Sequence, residues 1–110
     1  MLRKLLLPAA LALIGTAFPA SAQTPDPNLG RNLAAGCASC HGTNGNSVGG
    51  IASLAGESRD GIAQKMKDFR AGKRPATLMH QIAKGYTDAQ IDAIAAYFSD
   101  QKPAARGGKS

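Results

Sequence analysis

Cys37-Ala38-Ser39-Cys40-His41 is the stretch whose reading decides how this sequence folds. At 3.6 residues per turn, positions i, i+3 and i+4 lie above one another, so both thiols and the imidazole share one helix face. The face offers two sulfur nucleophiles a turn apart and a nitrogen donor beside the second. Nothing in the rest of the sequence adds a third cysteine, so a multiply bridged disulfide scaffold is excluded.

This spacing is the attachment pattern for haem c, in which two thioethers join one porphyrin and the adjacent imidazole points at the iron. Cys37 and Cys40 are therefore read as the covalent attachment points of one haem, and His41 as an iron ligand. Two other readings of the pair are weaker. The pair could be a plain disulfide or a thioredoxin-like redox pair, the latter expected within a βαβ pattern, which is not visible here. A zinc site needs more ligands, and His80 alone is left to supply one.

Upstream, Met1-Leu2-Arg3-Lys4 precedes an apolar run from Leu5 to Phe18 and then Ala20-Ser21-Ala22. A basic start, a short apolar core and small residues before the cut describe a signal peptide over residues 1–22, and hence a periplasmic protein. The run is broken by Pro8 and Gly15 and falls short of the roughly 20 residues of a spanning helix, so no stable membrane insertion is expected after cleavage. Removing Arg3 and Lys4 takes two charges from the formal +6. The modest basic balance that remains does not suggest nucleic acid as a partner.

Beyond the signal peptide lie one small domain over residues 23–102 and a Pro-, Gly- and Lys-containing tail over 103–110, read as flexible. The domain has no Trp and few Phe or Tyr, too little apolar bulk to offset chain entropy alone, so a large apolar cofactor is expected at its centre.

The periodicity predicts an all-α chain of three to four helices around that cofactor. The first starts near Asn28, with Leu29, Leu33 and Cys37 on one face. Gly42 to Gly50 is rich in Gly and Asn and reads as loop. A second helix begins around Asp60 as N-cap, with Ile62, Met66 and Phe69 inward and Lys65, Lys67, Asp68 and Arg70 toward water, and Gly72 and Pro75 stop it. In the last, Thr87 and Gln90 are spaced as a capping box and Ile91, Ile94, Ala95 and Phe98 line one face. Gly30 and Ala34 in the first helix and Ala93, Ala95 and Ala96 in the last would let those two cross closely.

An electron carrier needs a sixth iron ligand, and a Met thioether is the usual partner of His. Met66 and Met79 compete for it. Met66 lies on a helix's apolar face and reads as core packing, whereas Met79 follows the loop from Gly72 to Thr77, where the chain can swing over the open haem face. Met79 is therefore the expected ligand. His80 beside it would also bind iron, but is read as a solvent-facing histidine. Lys65, Lys67, Arg70, Lys73, Arg74 and Lys84 read as a solvated basic face that would also steer an acidic partner.

With the Cys-Ala-Ser-Cys-His motif, Met79 and the Tyr97-containing last helix, the sequence resembles the class I c-type cytochromes over nearly all of the exported part. More narrowly, Ser53-Leu54-Ala55-Gly56, Ile62 to Arg74 and Met79 to Asp88 look like the haem subunit of flavocytochrome c sulfide dehydrogenase, and tandem di-haem cytochromes share much of this pattern. The resemblance implies thioethers at Cys37 and Cys40, His41 and Met79 as axial ligands, no ligand role for Met66, and a contact between first and last helices through Gly30 and Tyr97. In the family a proline carbonyl before the Leu matching Leu54 accepts the Nδ1 proton of the proximal imidazole, and Ala52 stands in that place here. A second departure is size, since those relatives carry two haem domains and this chain has one motif.

The expected function is thus one-electron transfer by a chain that is not a catalyst by itself, serving as the subunit that accepts electrons from an FAD-containing, sulfide-oxidising partner. The alternative is a free-standing shuttle to a terminal oxidase or other respiratory partner. A haem enzyme or gas sensor, or a thiol-disulfide oxidoreductase, ranks below both.

Overall fold

A computed structural model of the chain describes residues 15–20 and 24–105. Most of the signal-peptide reading, at residues 1–14 and 21–22, and residues 106–110 of the tail lie outside them. Among the described residues every regular element is helical: α1 (Leu29–Ala34), α2 (Ala38–His41), α3 (Arg59–Arg70), α4 (Met79–Ala83) and α5 (Asp88–Ser99), with one 3₁₀ turn at Ala35–Cys37 and another at Thr43–Gly45. The all-α expectation holds among the described residues.

Residues 29–41 run almost without a break. The 3₁₀ turn that joins α1 to α2 tightens the helix where Cys37 sits, and Gly42, at φ 82°, ends it. The predicted inward face is only partly right, because Leu29 is more than a third exposed while Ala34 is buried. Leu33 and Cys37 do pack against the core.

In α3 the cap is Ser58, whose hydroxyl accepts from the Gly61 amide at 3.1 Å; Asp60, the expected cap, lies in the first turn, where its charge favours the helix dipole. Ile62, Ala63 and Met66 are buried and Phe69 packs beside them. The charged side of α3 does not simply face water. Lys67 pairs with Asp92 at 3.4 Å, Lys65 pairs with Glu57, and Arg70 pairs with Asp88 while donating to the Tyr86 carbonyl at 3.1 Å.

The capping box of α5 is present in both directions: Gln90 N donates to Thr87 Oγ1 at 3.2 Å and Thr87 N to Gln90 Oε1 at 2.9 Å. Ile91, Ile94, Ala95 and Phe98 are buried as the pattern requires. α5 crosses α1 closely enough that a Cβ on Gly30 would lie 2.5 Å from the Ala93 carbonyl oxygen. Among the described residues four of the nine buried core residues are alanine, so the core is as thin as the composition suggests.

Helix α4 has no counterpart in the predicted elements. Leu78 caps it without a side-chain bond, and five residues are too few to leave a 3.6-residue signature. It places Met79 at a helix start rather than on a loop. At the other end, Asn46 Nδ2 donates to the Lys102 carbonyl at 3.1 Å and its Oδ1 accepts from Ala104 N at 2.6 Å, which fastens residues 102–104 to the loop after α2.

Candidate cofactor site

The elements enclose a cavity of about 490 Å³, within the range of small-molecule sites. Cys37, Cys40 and His41 line it from the end of the first helical run, Ile62, Met66 and Phe69 from α3, Met79 and Ile82 from α4, and Ile94 and Phe98 from α5. All four residues singled out by sequence therefore meet in one space. Its walls are largely apolar, with Lys65, Arg74 and Glu57 supplying charge.

Cys37 and Cys40 both carry free thiols, the first half-buried and the second exposed. Burial, followed by the neighbouring Cys40, pushes the Cys37 thiol above its usual range.

His41 shows the most specific geometry. Its Nδ1 lies 2.6 Å from the Ala52 carbonyl oxygen. A carbonyl only accepts, so Nδ1 carries the proton, which in the neutral ring leaves the lone pair on Nε2, the form an iron ligand requires. The proline of the family is missing at position 52, yet its hydrogen bond is made.

Both methionines line the cavity, so lining alone does not choose between them. Met66 is 7% exposed in the middle of α3 and belongs to the core cluster, whereas Met79 is half-buried at the first position of α4. His80 is not part of the lining, and here the expectation needs correction: it does not simply face solvent. It is half-buried, and its Nδ1 is covered without a hydrogen-bond partner. Among the described residues no three His, Cys, Asp or Glu side chains gather as a metal site such as the zinc alternative would use.

Two contributors to the site carry no sequence signal. Tyr86 lines the cavity on a turn held by the Arg70 bond to its carbonyl, and Arg74 lies over the Phe69 ring at 5.5 Å from its centroid while also lining the cavity. The first joins α3 to the turn before α5 and the second joins α3 to the loop that follows it, neither of which periodicity within one element reports.

The inventory fits haem: an apolar slot, two thiols a turn apart, an imidazole of fixed tautomer, and a thioether, the nitrogen and sulfur donor set of electron-carrying cytochromes. Comparison with known proteins agrees. The family described as "Cytochrome c" matches residues 28–102. The cytochrome subunit of sulfide dehydrogenase from Chlorobaculum tepidum is 39% identical over 89 residues, 81% of either chain. The thiosulfate dehydrogenase electron acceptor of Thiomonas intermedia is 34% identical over 96% of this chain but 47% of its own. Among solved structures, cytochrome c4 of Acidithiobacillus ferrooxidans matches with TM-score 0.55 and 44% identity over 57% of this chain and 37% of that one. The chain thus spans most of the first relative and less than half of the other two. No helix among the described residues is long and apolar enough to cross a membrane.

Proposed function

Because the chain belongs to the cytochrome c family, whose members hold haem c covalently, we propose that it is a periplasmic electron carrier with one haem, which accepts electrons from a sulfide-oxidising flavoprotein. The observation that carries the reading is the cavity shared by Cys37, Cys40, His41 and Met79. Bound there, haem supplies a one-electron couple between ferric and ferrous iron.

The chain's own residues do the rest. Cys37 and Cys40 would form the thioethers, and His41 would offer Nε2 because Ala52 holds its other nitrogen. Met79 would supply the second donor, favoured over Met66 because it stands at the start of a short helix after a loop, while Met66 is fixed within the core. Phe98, Ile94 and Ile62 keep water from the ring, which lowers the dielectric and limits reorganisation as charge comes and goes. Arg74, which lines the cavity and is in none of the ion pairs among the described residues, would provide positive charge for the haem carboxylates. With His41 and Met79 both engaged no position would be left for substrate, and the chain would pass electrons without being the catalyst itself.

The sulfide-oxidising partner is supported by the 39% identity to a sulfide dehydrogenase cytochrome subunit over 81% of both chains. Within the basic face Lys65, Lys67 and Arg70 are paired with carboxylates, so Lys73 and Lys84 are the cations of that face left to steer an acidic partner.

Purification from the native periplasm tests the proposal. Haem that stays with the chain through denaturing electrophoresis, a stoichiometric flavin in the same fraction, and haem reduction on adding sulfide are the expected results. Covalent haem without flavin or sulfide response would instead assign a free-standing shuttle.

A further inference from the structure

The Ala52 carbonyl, which fixes the His41 imidazole, sits on a loop with little to hold its tip. Val48 is fully exposed there, and a Cβ added at Gly49 or Gly50 would meet no atom within 4 Å. With no packing at the tip, the carbonyl's position depends on the base of the loop. Two ties operate at that base. The Gly45 carbonyl accepts from Leu54 N at 2.8 Å and Ala55 N at 3.1 Å, beyond Ala52. Ser53 Oγ, on the residue next to Ala52, accepts from the Ser47 amide at 3.0 Å and so spans the loop from one side to the other. The Ser47 hydroxyl accepts in turn from Gly49 N at 3.3 Å, continuing the chain of bonds toward the tip.

We infer that Ser53 is a positioning residue for His41: its hydroxyl closes the loop over residues 47–53 and so holds the Ala52 carbonyl on the imidazole Nδ1–H. The inference rests on the reading of His41 as an iron ligand. A short bond at Nδ1 makes the ring more electron-rich and favours ferric iron. Without the Ser53 tie the loop opens more often, the Nδ1 proton meets solvent, the ring gives less charge to iron, and the reduction potential rises. In a proline at position 52 the ring itself would limit the backbone; here a side-chain hydrogen bond does so.

The test compares the haem-loaded wild type with Ser53→Ala, Ser53→Thr and Ser53→Val. Thr keeps the hydroxyl, and Val has nearly the same shape without it. Two quantities are read: solvent exchange of the His41 Nδ1 proton by NMR in the reduced protein, and the reduction potential. Loss of one hydrogen bond should speed exchange by about 2- to 10-fold in Ala and Val and raise both potentials, while Thr matches wild type. If Val and Thr agree in both readouts, Ser53 has no such role, whatever happens to thermal stability. Failure of the underlying reading looks different, because the wild type itself would then lack a His41 ring proton shifted by the haem.

Discussion

The Tyr97 hydroxyl donates to Asn44 Oδ1 across 2.7 Å, tying α5 to a residue whose backbone is left-handed at φ 54°. Asn44 stands three residues after His41, so the bond also braces the turn that leaves the cofactor site. Tyr97→Phe keeps the ring, its edge-on contact with Phe98 and the fold, and removes only this bond. A loss of about 0.5–1.5 kcal/mol is expected in denaturant unfolding of the haem-loaded protein, with the slope of the transition unchanged.

Gly30→Ala should cost more, although alanine is the better helix former by about 1 kcal/mol. The new methyl would meet the Ala93 carbonyl oxygen, which is backbone and does not rotate away. Separating α1 from α5 is expected to cost about 1–3 kcal/mol, read as a lower thermal midpoint. A midpoint equal to or above wild type would show that the helices do not cross where the structure places them.

The two methionines should separate by phenotype. Met66→Ala leaves a hole in the core and is expected to destabilise by about 2–5 kcal/mol while the haem spectrum stays six-coordinate. Met79→Ala should retain covalent haem, lower the reduction potential and let the ferrous form bind carbon monoxide. Exchanged results would move the ligand to Met66.

Acid should loosen the junction of α3 and α5. Arg70, by its hydrogen bond and its charge, holds the Asp88 carboxyl below the usual range. The folded chain therefore takes up this proton at lower pH than the unfolded chain, whose carboxyl titrates near about 3.9. The contribution is complete above that value and is lost as pH falls through the depressed one. Asp88→Asn should flatten the decline in thermal midpoint over this acid window and leave the neutral-pH profile parallel to wild type.

Much of the fold and site is legible in the sequence because it is local. The Thr87 and Gln90 capping box, the inward face of α5 and the Cys37-to-His41 turn each lie within a few residues, and each is present in the structure. The misreadings share another cause. Ser58 displaces Asp60 as cap because either residue type satisfies the first amides, and only backbone geometry chooses between them. His80 reads as solvent-facing because sequence does not show what α4 packs upon, and α4 itself is too short to announce a period. The basic face of α3 looks uniform in sequence because Glu57, Asp88 and Asp92 come to it from other parts of the chain.

The crossing of Gly30 with α5 also sets an order of events. About sixty residues separate Gly30 from Ala93, so this contact carries a large loop-closure entropy and is available only after nearly the whole chain has emerged. Cys37, Cys40 and His41 lie inside that span. The turn that carries them is local and needs no such closure, so it can form before the two ends meet.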